Sequence, residues 1–285
     1  MDNNNIEYNL QLIRKGVKNP SDDLLHKTII AINHFQNDPS ILKPYLNEFI
    51  SNINKSFILA IDDPNTQLSK IHFIQSKFFY NLTKICSNKI VNKYLSTDIT
   101  YLNPIITLLE TDIPWETQFF LLSWCQIVIL SPFNISTDKY IWQLTSDFKS
   151  NQVLNHIVTQ IHAILYQKNY ALFCEKIDNE LLRNNDLETL NYYLRTQLIE
   201  STSNLLIHDS NDNLNKITQL CLNMNVKDLE NSQLLILKIL PKLFLLQCWK
   251  ENWSIVTDII DWYFKHLDTN YTEVRFMLAH SYSKL

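Results

Sequence analysis

Glycine is almost missing: Gly16 is the single one in 285 residues. Strand-rich folds and phosphate-cradling loops depend on glycine for tight turns and for close backbone approach. Its scarcity excludes a dinucleotide fingerprint, a P-loop, an EF-hand loop and a nucleophile elbow, and with them most common enzyme classes. Charge is also sparse. Only 19% of residues are charged and the net charge is −4, which gives no electrostatic case for nucleic acid. The five cysteines (Cys86, Cys125, Cys174, Cys221, Cys248) are scattered without a C-x-x-C pair, the pattern of reduced, buried thiols in a cytosolic protein. The polar start Met-Asp-Asn-Asn-Asn carries no secretory signal. The most apolar stretches, Phe119–Leu130 and Leu234–Cys248, are broken by polar residues or proline. Both fall short of the roughly 18 apolar residues a membrane span needs. They read as helices buried on most sides of a soluble protein.

What is present is helical periodicity from end to end. Ile6, Leu10, Ile13 and Val17 share one helix face. Ser21 with Asp22 and Asp23 starts a second helix, whose apolar face would be Leu25, Ile29, Ile32 and Phe35. A third runs from about Pro44 to Ile61 with Leu46, Phe49, Ile50, Ile53, Phe57 and Leu59. Pro64-Asn65 leads into a fourth ending near Cys86, with Ile71, Ile74, Phe78, Leu82 and Ile85 inward. Short helices follow near Ile90–Leu95 and Leu102–Glu110. An apolar helix starts at Asp112 and Pro114 and stops at Pro132. Further helices are predicted near Lys139–Phe148, Val153–Gln167, Tyr170–Leu182, Leu187–Ile207, Leu214–Asn223, Leu229–Trp249, Trp253–Leu267 and Tyr271–Lys284. Short connections rich in Asn, Asp, Ser and Thr suit caps and turns, and no period-two alternation points to a sheet.

Some fifteen helices with short loops imply an all-α fold, an α-solenoid of HEAT/armadillo-like repeats. At about 40–47 residues per repeat the chain holds roughly six or seven. One continuous array over residues 1–285 is expected, with subdivision near 137–150 and a loop at 208–215. At the end, Asp268-Thr269-Asn270 precedes Val274-Arg275, a turn and helix start similar to the HEAT signature, with Asn270 and Glu273 as a capping-box variant. The last helix carries Phe276, Met277, Leu278 and Tyr282, whereas a terminal repeat needs a polar outer face, so a longer protein is expected.

The segment from Ile71 to Ser136 is more specific. It contains Phe78-Phe79-Tyr80-Asn81-Leu82, Asn103-Pro104-Ile105-Ile106, Pro114-Trp115-Glu116-Thr117 leading to Trp124, and Leu130-Ser131-Pro132-Phe133-Asn134. This order resembles the N-terminal region of the tubulin-folding cofactor D family, of the fungal type. The likeness is sharp there and at the last repeat, and vague between Thr137 and Val226. It implies a cytoplasmic, non-catalytic chaperone scaffold without a bound cofactor. Its implied partners are β-tubulin, the αβ-tubulin dimer, tubulin-folding cofactors E and C and an Arf-like small GTPase. With them the family assembles and recycles tubulin dimers and stimulates GTP hydrolysis by tubulin.

Candidate sites are few. Lys70, Lys77 and Lys84 recur every seven residues on one helix face, continued by Lys89 and Lys93, and this stripe would suit an acidic partner such as tubulin or form an ordinary solvated face. Trp115, Trp124 and Phe133 could line an aromatic pocket, but their apolar setting reads as core. Glu116 complements a helix N-terminus. His208-Asp209-Ser210 has catalytic residue types without triad geometry. His156 and His162 lack the i, i+4 spacing of a helical metal pair, so no metal site is predicted, and Asp62-Asp63 reads as loop. A generic adaptor for linear peptides, which needs a ladder of exposed Trp and Asn, and an all-helical enzyme, which needs convergent titratable groups, remain the alternatives.

Overall fold

A computed structural model describes residues 3–62, 68–133, 136–178, 186–202, 211–224, 234–269 and 271–285. The His208-Asp209-Ser210 group, Asp63, Pro64-Asn65, Asn134, Ile135 and Asn270 lie outside the described residues. Among those described, no strand occurs. The helices are α1 (Asn3–Lys18), α2 (Asp22–Asn33), α3 (Leu46–Asp62), α4 (Lys70–Cys86), α5 (Asn88–Val91), α6 (Leu102–Leu109), α7 (Trp115–Ile129), α8 (Asp138–Ser146), α9 (Gln152–Lys168), α10 (Tyr170–Lys176), α11 (Leu187–Thr202), α12 (Asn211–Asn223), α13 (Ile236–Trp249), α14 (Trp253–His266) and α15 (Thr272–Tyr282). Contacts gather them into two compact units, Met1–Ile161 and His162–Leu285.

In the first unit, neighbouring helices cover one another's apolar stripes. α1 packs on α2 and α3, α4 on α2, α3 and α7, and α6 on α7. The pivot is an aromatic column. Phe120 of α7 meets Phe57 of α3 at 4.3 Å between ring centroids and Phe79 of α4 edge-on at 4.9 Å, with Trp124 one turn on at 5.9 Å. Edge-to-face and tilted pairs suit the ring quadrupole and add about 0.5–1.5 kcal/mol each beyond area burial. α7 is buried without a break from Phe119 to Gln126. Two of its polar side chains find backbone acceptors: Ser123 Oγ donates to the Phe119 carbonyl at 2.8 Å and Trp124 Nε1 to the Ser96 carbonyl at 2.9 Å. Ser96 is pinned from its other side as well, its N–H donating to Asn54 Oδ1 of α3 at 3.0 Å.

The solitary glycine has a packing role. Gly16 faces Thr28 across the α1–α2 contact, and a Cβ there would overlap Thr28 Oγ1 and stand 2.8 Å from its Cγ2. Thr28 is fully buried, so it has nowhere to move. α2 starts after Ser21, yet the Ser21 side chain makes no cap hydrogen bond, and Asp22 and Asp23 supply the favourable charge at that end. Likewise the N-cap of α15 falls on Tyr271, one residue beyond Asn270.

In the second unit, α13 packs against α11, α12, α14 and α15. Pro241 stands inside α13, where it has no N–H to give the Leu237 carbonyl one turn earlier. Ser281 of α15 donates its hydroxyl to that carbonyl at 2.5 Å, and Tyr263 of α14 lies 2.5 Å from the same Ser281 oxygen. A helix break in one element is thus repaired by two others. Burial pushes the Tyr263 phenol up to about 12, against the smaller lowering influence of Ser281.

Several sequence expectations shift. Leu59 is 71% exposed and Ile71 exposed, so neither joins the core face assigned to it. Leu59 follows Phe57 by two residues, about 200° around a helix, and must face outward when Phe57 faces in. Cys86, Cys125 and Cys221 are buried and Cys248 is intermediate, but Cys174 is exposed. Burial pushes the Cys125 and Cys221 thiols up to about 12. In the last helix Leu278 is fully buried while Phe276 is 77% exposed.

Two predictions follow from these contacts. Gly16→Ala gains the helix propensity of alanine, about 1 kcal/mol, but overpacks against Thr28 at about 1–3 kcal/mol, so urea unfolding should show net destabilisation that Thr28→Ala partly reverses. Ser281→Ala should destabilise by about 1–3 kcal/mol, because Leu237 and Tyr263 lose their partner. In a Pro241→Ala background, where the helix N–H returns, the same change should cost less, and a double-mutant cycle measures the difference.

Candidate interaction surface

α4 carries the lysine stripe, and packing leaves it one open face. His72, Ile74, Gln75, Ser76, Phe78, Phe79, Leu82, Thr83 and Cys86 are all buried against neighbours. The helix start is set by His72, whose Nδ1 accepts the Ser69 backbone N–H at 3.0 Å. That leaves Nε2 to carry the proton, 3.3 Å from the Ser56 carbonyl of α3. Burial lowers the His72 pKa, which keeps the ring neutral as this geometry requires. Gln75 Nε2 donates to the Val17 carbonyl at 3.2 Å, capping the end of α1 from α4.

The three lysines share the open face but differ in state. Lys70 is exposed and ion-paired with Asp22 of α2. Lys77 is half-buried, and its carbonyl accepts from Asn81 Nδ2 at 2.8 Å. Lys84 is exposed, with its ammonium 5.6 Å from the centre of the Tyr80 ring. Lys89 and Lys93 extend the positive surface and are exposed. Tyr80 is held edge-on by Trp115 at 4.8 Å and Phe119 at 5.0 Å, so the cation at Lys84 rests on an ordered aromatic group.

The aromatic trio does not converge. Trp124 is fully buried in the column around Phe120, as its apolar setting implies. Trp115 sits at the surface against Tyr80. Phe133 is 60% exposed, contrary to its reading as core, and lies in the turn beyond the end of α7. With Asn92, Lys93, Ile127, Leu130 and Pro132 it lines a surface hollow of about 490 Å³. A larger groove of about 700 Å³ runs between the α1–α2 connection, α3 and α4, lined by Val17, Leu24, Lys55, Leu59, Ile71 and Gln75. Leu59 and Ile71, misplaced as core by periodicity alone, are walls of this groove. Beside it, Arg14 pairs with Glu48 at 3.0 Å and lies 5.2 Å from the Tyr45 ring centre. The Glu48 hydrogen bond raises the Arg14 pKa.

Chemically, these are hollows with apolar walls and cationic neighbours. His156 bonds Gln160 at 2.8 Å and His162 is buried. Among the described residues no group of three His, Cys, Asp or Glu comes together to hold a metal, and no helix is long and apolar enough to cross a membrane. Glu116 occupies the first turn of α7. Trp249 and Trp253, both exposed, flank the α13–α14 turn rather than recurring at repeat spacing, which does not build the ladder of a linear-peptide adaptor.

No solved structure matches the chain. The sequence profile of the family described as tubulin-specific chaperone D-like, ARM repeat, matches residues 32–181, from the second half of α2 past the end of α10. This span is more than half of the chain and includes the aromatic column, the lysine stripe and the hollow at Phe133. The chain belongs to the tubulin-specific chaperone D-like family, and its all-α architecture is that of an armadillo-type helical repeat protein.

Proposed function

We propose that this chain is a tubulin-folding chaperone scaffold that binds β-tubulin in the cytoplasm, in association with the cytoskeleton. In this reading it works with tubulin-folding cofactors E and C and an Arf-like small GTPase to assemble and recycle αβ-tubulin dimers. It supports GTPase activation through those partners and supplies no catalytic residue of its own. The family match over residues 32–181 carries the reading. The surface is consistent with it: an apolar groove beside exposed cations offers area and charge for gripping a folded client. Lys77 and Lys84 would act as the charged contacts of the α4 face, with Lys70 contributing less because Asp22 already neutralises it.

Purified αβ-tubulin should be retained by this protein, and adding cofactor E and the Arf-like GTPase should strengthen capture. No binding of tubulin by this chain or by any longer protein containing it rejects the reading. The charged face has its own test in stopped-flow association at low salt. Lys77→Glu with Lys84→Glu should slow tubulin association on the order of tenfold, and Lys70→Glu should do less. Equal rates for all variants would dismiss the stripe while leaving tubulin binding in place.

A further inference from the structure

The second unit holds a cluster of cations that no carboxylate balances among the described residues. Lys242 of α13 is half-buried. Its ammonium donates to Asn191 Oδ1 of α11 at 2.7 Å and to the Lys238 carbonyl one turn earlier on α13. Both acceptors are neutral, and an ammonium has a third N–H to give. The charged groups acting on it are Arg195 of α11, Lys284 just beyond α15, and Lys238 of its own helix. α12 and α14, which also pack on α13, bring no charge to bear on it. Arg195, Lys238 and Lys284 are exposed. Burial, followed by repulsion from these three cations, pushes the Lys242 pKa down to about 8. Like charges held together at a cost to one another, with no balancing anion among the described residues, form a surface that an external anion would relieve.

The spread of the charges indicates the ligand. Lys238 and Lys242 are one helical turn apart, about 6 Å along α13. Arg195 is one turn along α11 from the Asn191 that Lys242 touches, and Lys284 arrives from the turn that follows α15. Four cations on two helices and the turn after a third outreach a single phosphate and match several acidic groups in series. We propose that Arg195, Lys238, Lys242 and Lys284 form a docking site for a carboxylate-rich segment of a partner protein. The site stands on these charges alone, whatever the identity of the folded client. The bound carboxylates would take the third N–H of Lys242 and hold it in its charged form.

A fluorescein-labelled decaglutamate peptide, titrated into the full chain and followed by anisotropy at low salt, tests this. Binding is expected, with affinity reduced at least tenfold by Arg195→Glu with Lys284→Glu, two exposed positions whose change leaves the packing intact. Lys27→Glu on α2 should leave it unchanged. Raising the pH from 7 to 9 deprotonates Lys242 through its lowered pKa and should weaken binding, and Lys242→Arg should flatten that pH step. Circular dichroism melting of each variant checks folding. Equal affinity for decaglutamine, equal affinity in the Arg195→Glu, Lys284→Glu protein, or displacement of the peptide by equimolar inorganic phosphate would each overturn the proposal. Failure here leaves tubulin capture untouched, and peptide binding without tubulin capture would leave this site standing without the chaperone reading.

Discussion

The contact among Phe57, Phe79 and Phe120 joins the consecutive helices α3 and α4 to the later α7, and the first unit depends on it. No helix of this chain can bury its own apolar stripe. α3 offers Phe57, α4 offers Phe79, and α7 inserts Phe120 between them, so that each ring leaves water only because the other two are present. Because α7 is buried along its middle turns, its polar side chains need internal partners: Ser123 finds one within α7, Gln126 at Gln160, and Trp124 closes on Ser96. That closure fixes the path of the chain between Leu95 and Asp98. The outer face of α4, the groove at Leu59 and Ile71, and the hollow at Phe133 stay open on the surface of this unit.

The second unit meets a comparable constraint by different means. Pro241 removes one link of the α13 ladder, and the repair by Ser281 and Tyr263 ties α13 to α14 and α15 through hydrogen bonds more directional than packing alone. The core there also holds a polar set: Gln247 donates to Asn215 at 3.1 Å and Thr218 at 3.0 Å of α12 and accepts from Asn252 at 2.7 Å. Such directional pairs fix helix register, and apolar contacts by themselves do so less sharply. A charged cluster beside this framework is held in place by rigid elements, as a recognition surface requires.

Much of the fold was legible because helical periodicity is local information. The α1, α4, α7 and α9 spans follow from spacing, and Trp124 as core follows from its apolar setting. What stayed hidden depends on partners distant in sequence. Nothing near Lys70 announces that Asp22, 48 residues earlier, neutralises it. Gly16 was informative as an absence elsewhere, but its fit against Thr28 emerges only when α1 and α2 pack. Leu59 carried a usable signal in its two-residue offset from Phe57, whereas the exposure of Ile71 and Phe133 shows only in the packed structure. The stripe on α4 was legible as a set of positions but not as three different electrostatic states. The Arg195–Lys242 surface was invisible because its members come from separate parts of the chain, two helices and the turn after the last one.

The dependence of the first unit on α7 is most directly tested by hydrogen exchange read peptide by peptide. If neighbouring helices cover α7 as described, the amides of Phe119–Ile129 should be the slowest to exchange between residues 3 and 161, opening only with unfolding of the whole unit. Exchange of that segment as fast as in the short α8 helix or the turns at Pro39–Tyr45 would contradict the account.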